Sequence, residues 1–503
     1  MLRTIQDFQR LIISLIPSPA GLSLGFLDLV EDILVLILGS YCDVASVIAL
    51  SQTNKYLNRL AFSKTVWFSL VSTLVQLRFI DSQPNDDYYL KLLSTDQLVG
   101  LVKRALQGPK TWPAAEPNQT GNLSRKLMQP PSRPLVESRR IVLHPKITPS
   151  PLPSNWDYEH QTKLLPGGKY LLFQNYDRLE CWSVFDDRLV WAHGVHKDSM
   201  VLDFDAEWDG DERLVIVVHE HARSASKALV EVLTLDLKSE SSGRVLSTRI
   251  SSTGRDPYMS CTIRGDFVAV DLWCNCWPHP VLLINWRARS RVVVSNPGTA
   301  AENPHSPSPY QITLTTEHLV LTTSGRLALS SLSSLFPFLE PITDKDIEPS
   351  SHISVTDIFL PDTHTIPLQG HPADTCRSTW VFESPLRRGL FRVWIHAVHD
   401  GLSRVSGYEY SIRNTQLSWR SLASSYMLEQ KVSPRAMTLS GHTVAYANLL
   451  GVPLGLFAPA AAEGTASLHD FGIKRHFLPF SMSPFSGTLT YCSGLELVVV
   501  YYD

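Results

Sequence analysis

"PGGKYLLFQNYDRLECWSVFDDRLVWAH", residues 166–193, is the stretch on which the fold turns. Gly167-Gly168 make a turn, and the β-formers of "KYLLF" follow at once. "RLECWSVFDDRLVWAH" then reads as strand, tight turn, strand, with Asp186-Asp187 as the turn formers. A unit this small cannot bury its own apolar faces and needs neighbours of the same kind. Such neighbours recur downstream as "DGDERLVIVV", "RGDFVAVDLW", "TEHLVLTT", "RRGLFRVWI", "SGHTVAYANL" and "FSGTLTYCSG". With Gly168, Glu212, Asp266, Glu317, Gly389, Gly441 and Gly487 as markers, the steps are 44, 54, 51, 72, 52 and 46 residues. Periods near this length with about four strands each suit the blades of a β-propeller. Six or seven blades fit. The WD dipeptides at Trp156-Asp157 and Trp208-Asp209 fall at different places in the period, so paired β-sandwiches or an irregular mixed β domain also suit the turns. The 72-residue step holds "PITDKDIEPSSHISVTDIFLPDTHTIPLQGHP", read as an insertion loop, and "NPGTAAENPHSPSP" reads as another.

Outward from this β body, the chain of 503 residues is too long for one ordinary domain. It is 44% hydrophobic and 18% charged with a formal charge of -3, so no global basic field draws it to nucleic acid. Basic pairs such as Arg139-Arg140 and Arg387-Arg388 read as solvated surface. The 7 cysteines are odd in number and thinly spread, which points to a reducing, intracellular compartment, cytoplasmic or nuclear. The apolar run "LIISLI" is short and ends at Pro17 and Pro19, far from the ~20 residues of a membrane span. The sequon-like Asn118 and Asn122 are read as chance.

The organisation expected is multidomain, α plus all-β. Residues 1–25 form an N-terminal extension, 26–72 a three-helix head and 73–106 a helical extension. Residues 107–153, with ten prolines, form an extended linker that buries too little to order itself. Residues 154–503 are the propeller-like domain, and "RRIVLH" inside the linker is a strand that belongs to it. Asp43 is placed to cap the helix "VASVIAL". Ser94 and Gln97 have capping-box spacing. Lys103 and Arg104 suit that helix's C-terminal end, and Gly108-Pro109 stops it.

The head carries more apolar surface than three short helices need. Ile33, Leu34, Val35, Leu36, Ile37 and Leu38 run without a polar break behind Asp28, Glu31 and Asp32. A helix lying on one core needs only a stripe, so a second partner is expected on the remainder.

Residues Leu29 to Trp67, about 40 of 503, resemble an F-box, the module that tethers a substrate receptor to the Skp-type adaptor of cullin–RING ubiquitin ligases. The family pattern opens Leu-Pro-x-Glu and proceeds through paired aliphatics, an aspartate and a second helix to a Val-Trp or Leu-Trp. Here Leu29-Val30-Glu31-Asp32-Ile33-Leu34, Ile37-Leu38, Asp43, Val47, Leu50 and Val66-Trp67 stand in those places. "SYCDVASVIALSQTNKYLNRLAFSKTVW" is similar to the F-box of mushroom-type fungal proteins in particular. Val30 replaces the usual proline, which removes a fixed φ at the helix start, and Gly39-Ser40 carries one residue more than the usual spacing. The resemblance implies that Leu29, Val30, Ile33, Leu34, Ile37, Leu38, Val47, Leu50 and Trp67 contact the adaptor or its surroundings. It also implies a non-catalytic receptor in an SCF-type ligase, whose β domain holds an unidentified target protein. A scaffold with no ligase link, or a propeller enzyme with a central-channel site, are the rival readings. For Leu50, Leu57 and Leu60 a plain core role is the better expectation.

Catalytic and metal chemistry finds little support. Gly21-Leu22-Ser23-Leu24-Gly25 matches the nucleophile-elbow string, but no strand precedes it. Cys274, Cys276 and His279 cluster without a second ligand pair nearby. His219/His221, His193/His196 and His396/His399 read as ordinary strand or turn positions. No P-loop, dinucleotide or kinase motif is present, and no cofactor or metal is expected.

Overall fold

The computed structural model describes residues 29–81, 86–112, 135–148, 161–196, 199–222, 227–251, 260–272, 280–295, 311–322, 326–343, 353–354, 364–368, 375–399, 402–413, 416–427, 432–447, 452–458, 464–465, 467–470 and 480–502. They form a helical head and seven small β-sheets.

The head contains α1 (Glu31–Ser40), α2 (Val44–Ser51), α3 (Lys55–Ala61), α4 (Lys64–Gln76), α5 (Asp86–Leu92) and α6 (Thr95–Gln107). Local chemistry sets the boundaries. Glu31 and Asp32 sit in the first turn of α1, against its positive end. The Asp43 carboxylate accepts from Ser46 N at 2.7 Å and opens α2, and Asn54 does the same for α3. Ser94 and Gln97 form the expected reciprocal capping box on α6, which ends at Gly108 with φ 82°. Leu34, Leu38, Val44, Val47, Leu60, Val66 and Trp67 share one core with Leu90, Leu98 and Val102. The helical extension therefore packs into the same body as the first three helices. Gly39 lets α1 and α4 approach closely, since a Cβ there would stand 3.0 Å from Ser69 Cβ. Ser69 Oγ donates to Gly39 O at that crossing.

The sheets are antiparallel meanders in chain order: blade 1 spans 162–194, blade 2 199–251, blade 3 261–295, blade 4 311–367, blade 5 375–427, blade 6 432–470 and blade 7 480–502. Each sequence marker lies in the turn between the first two strands of its blade, Gly168 in blade 1 through Gly487 in blade 7. Glycines at 168, 389, 441 and 487 have positive φ there. Apolar clusters join blades 1 and 2, 2 and 3, 3 and 4, 4 and 5, 6 and 7, and 7 and 1. Between blades 5 and 6, Trp394 Nε1 donates to Leu439 O. The ring thus closes as a seven-bladed propeller. Its outermost strand in blade 7 is Glu137–Leu143, paired antiparallel with Glu496–Tyr502. The early strand "RRIVLH" is therefore the clasp of the ring, which moves the start of the β domain back from 154 to 137.

The 72-residue step is more than a loop. Glu340–Pro341 and Ile353–Ser354 both add to the outer strand of blade 3, and His364–Pro367 is the fourth strand of blade 4. "NPGTAAENPHSPSP" and Trp156-Asp157 lie outside the described residues.

The head is seated on the propeller. The Arg78 guanidinium lies 3.5 Å over the Trp208 ring and donates to the carbonyls of Gly210 and Asp211. Phe79 meets Phe485 edge-on at 4.9 Å, and Ala45 N donates to Leu386 O. Arg392 donates to Leu106 O, and Arg104 donates to Tyr502 O. Trp112, in the segment expected to be an open linker, is buried beside His442 and Tyr502. Gly487 leaves room for it, since a Cβ there would fall 2.4 Å from the indole. Most of these propeller partners belong to turns between first and second strands, so the head covers that face of the ring.

Candidate docking surface and central cavity

The N-cap Val30 and, on α1, Ile33 and Leu36 are 68%, 39% and 52% exposed. Ile33 and Leu36, three residues apart, share one side of the helix, and Val30 precedes its first turn. Ile37 and Leu29 are half-buried beside them. An ion pair from Arg59 to Glu31 at 3.2 Å ties the start of α1 to α3. Both of its side chains are more than half exposed, so it orients more than it stabilises. The Phe62 ring, 42% exposed, stacks on Trp67 at 5.9 Å.

These positions divide the residues that the F-box resemblance singled out. Val30 and Ile33 are surface residues. Leu29, Ile37 and Leu50 are half-buried. Leu34, Leu38, Val47 and Trp67 are at most 2% exposed, and their assignment to the adaptor is corrected: they hold the head together. Leu57 and Leu60 are core, as expected, whereas Leu50 lies at the margin of that core. Leu36, which the F-box pattern does not single out, is also exposed, three residues on from Ile33.

The second feature is a cavity of about 1090 Å³ on the propeller axis. First strands of all seven blades line it, through residues such as Lys163, Ala206, Arg264, Leu314, Phe382 and Met437. Gln76, Leu77 and Arg78, at the end of α4, line it from the head side. Its charges are committed to joints in the wall. Lys163 pairs with Asp205 across blades 1 and 2, and burial pushes its ammonium down to about 8. Asp205 also accepts from Thr262 Oγ1 and Ile263 N in blade 3. Asp203 accepts from Cys261 N at 2.7 Å, yet burial pushes its carboxyl up to about 6. Glu207 accepts from Gly265 N and Glu383 from Gly389 N. The wall therefore uses its carboxylates to fasten blades and turns.

The histidine pairs meet different surroundings. His219 is buried within blade 2, and burial pushes the half-buried His221 down. His396 is buried and meets Ser403 Oγ at 2.5 Å, whereas the His399 side chain lies outside those described. His193 and His196 both face Glu220, from the neighbouring blade. Burial opposes the His193 proton, but Glu220 and Glu231 outweigh it and hold the imidazole up at about 9. Gly21 to Gly25, Cys274, Cys276 and His279 lie outside the described residues, as do Asn118 and Asn122. Among the described residues no helix is long and apolar enough to cross a membrane.

Set against family models and against curated proteins, the chain matches none. Among solved structures it is similar to a chain from the crystal structure of the mitotic checkpoint complex. That match has 10% identity and a TM-score of 0.39, over 75% of this chain and 98% of the other. It is also similar to the WD40 domain of SCAP from fission yeast, with 11% identity and a TM-score of 0.36, over 68% and 82% of the two chains. At such values the propeller assignment rests on the seven sheets themselves.

Proposed function

We propose that the chain is a substrate receptor of an SCF-type cullin–RING ubiquitin ligase. The side of α1 that carries Val30, Ile33 and Leu36 would dock a Skp-type adaptor, and the propeller would hold a target protein. The observation that carries this reading is the two-sided character of α1: Leu34 and Leu38 fill the head core while three aliphatics on the other side face outward. Full burial of such a side chain is worth about 1.5–3 kcal/mol, so covering the part of each that is still exposed would contribute about 0.6–2 kcal/mol, together enough for a hot-spot cluster in a forgiving interface. The half-buried Leu29 and Ile37 would flank it.

The chemistry would belong to other subunits, and this chain would act through proximity. It would raise the effective concentration of target lysines beside the charged carrier enzyme. That task needs a fixed distance between adaptor and target, and the seam from Arg78 to Trp112 supports it by joining head and propeller directly. The head occupies one face of the ring, so the target would bind the opposite face or the rim, through loops.

The test is co-purification of a Skp-type adaptor with the full chain. Ile33→Asp and Leu36→Asp should each reduce recovery by tenfold or more, on the order expected of a hot-spot residue, with an unchanged circular dichroism spectrum. Full recovery with both variants would remove the receptor reading.

A further inference from the structure

Between blades 1 and 2 lies a cluster that neither the docking surface nor the cavity uses. His193, at the end of the outer strand of blade 1, points at two glutamates of blade 2, Glu220 on the second strand and Glu231 on the third. One ligand atom from each lies within 4.8 Å of the other two. His193 Nε2 is 3.2 Å from Glu231 Oε2 and 3.6 Å from Glu220 Oε1. Both glutamate side chains are fully buried, while His193 is 14% exposed.

Two further observations point to a ligand. First, His193 Nε2, Glu220 Oε1 and both oxygens of Glu231 are buried atoms that make ion-pair contacts but no hydrogen bond of proper geometry among the described residues. Bond lengths of about 2.0–2.1 Å at tetrahedral angles place neighbouring ligand atoms about 3.3 Å apart, and the two imidazole–carboxylate separations, 3.2 and 3.6 Å, bracket that value. Second, the outer oxygens are held from outside. Glu220 Oε2 faces His196, accepting from its backbone N at 3.2 Å and lying 3.1 Å from its Nδ1. Glu231 Oε1 lies 3.0 Å from Arg244 Nε. Glu220 is thus hydrogen-bonded through one oxygen and Glu231 ion-paired through one, with the second oxygen of each toward His193, as supporting residues arrange ligands around a metal.

We propose that His193, Glu220 and Glu231 bind a divalent transition-metal ion, zinc foremost, that clamps blade 1 to blade 2. One imidazole and two carboxylates make a set of borderline hardness suited to zinc. The fourth position faces the solvent that reaches His193 and takes water. His196 and Arg244 orient the glutamates and stay outside the coordination sphere.

Zinc uptake by the full chain, measured by competition with a chromophoric chelator, tests this directly. The wild type should take up one more equivalent of Zn²⁺ than His193→Gln or Glu231→Gln. Binding at this site should weaken more than about a hundredfold in those variants, and about 10–100-fold in His196→Ala. Counting the difference between proteins cancels uptake by Cys274, Cys276 and His279. His193→Gln lies at the solvent edge and decides the matter should Glu231→Gln fail to fold. Equal stoichiometry and affinity in the wild type and His193→Gln would overturn the site.

Discussion

The helical head and the propeller solve the same problem, the burial of short elements, in opposite ways. The propeller repeats one sheet until the ring closes on itself, and Glu137–Leu143 supplies the fourth, outer strand of the last blade. The head has no such closure. It buries Leu34, Leu38 and Trp67 among its own helices and leaves Val30, Ile33 and Leu36 outside. A ring spends its apolar surface internally, whereas an open bundle retains a face for something else. The seam between them differs from both, joined by one indole, one guanidinium over an indole, one edge-on phenylalanine pair and backbone carbonyls.

The largest effect is expected at that seam. Trp112→Ala removes a buried indole and should cost about 3–5 kcal/mol. Urea unfolding of the variant should show two transitions, one for the head and one for the propeller, where the wild type shows one. A single shifted transition would mean that the two bodies are coupled elsewhere.

A smaller effect probes the propeller wall. Asp203 titrates near 6 in the fold against an ordinary 3.8, so the native state holds its proton more tightly than the unfolded chain. Its contribution is full below about pH 4 and is lost as pH rises through about 6. Relative to Asp203→Asn, the wild type should lose up to about 3 kcal/mol between pH 4 and 7. Chemical denaturation across that range measures the difference. A constant gap between the two proteins would mean that Asp203 is not desolvated.

The smallest effect belongs to the head. Ser94→Ala breaks the capping box of α6 and should cost about 1 kcal/mol, seen as a modest drop in the head transition of the Trp112→Ala background and none in the propeller transition.

The two regions were also unequally legible. Turn chemistry is local, so Gly168, Glu212, Asp266, Glu317, Gly389, Gly441 and Gly487 marked all seven blades from the sequence. Helix caps at Asp43 and Ser94 were readable for the same reason. Pairings between distant segments were not. Glu340–Pro341 and Ile353–Ser354 sit on blade 3 although the chain has already passed through blade 4 strands. Six consecutive aliphatics in α1 carry no period, so the inward side of that helix, Leu34 and Leu38, was settled only by packing. Likewise the H-x-x-H spacing of His193 and His196 was visible, but Glu220 and Glu231 come from the next blade. Trp112 was masked by the prolines around it, which read as open chain.

Hydrogen–deuterium exchange of the full chain, with and without a purified Skp-type adaptor, bears most directly on the outward side of α1. Added adaptor should protect residues 29–40, slow exchange little in the propeller, and lose its effect in Ile33→Asp. Unchanged exchange across residues 29–40 at saturating adaptor would contradict the account.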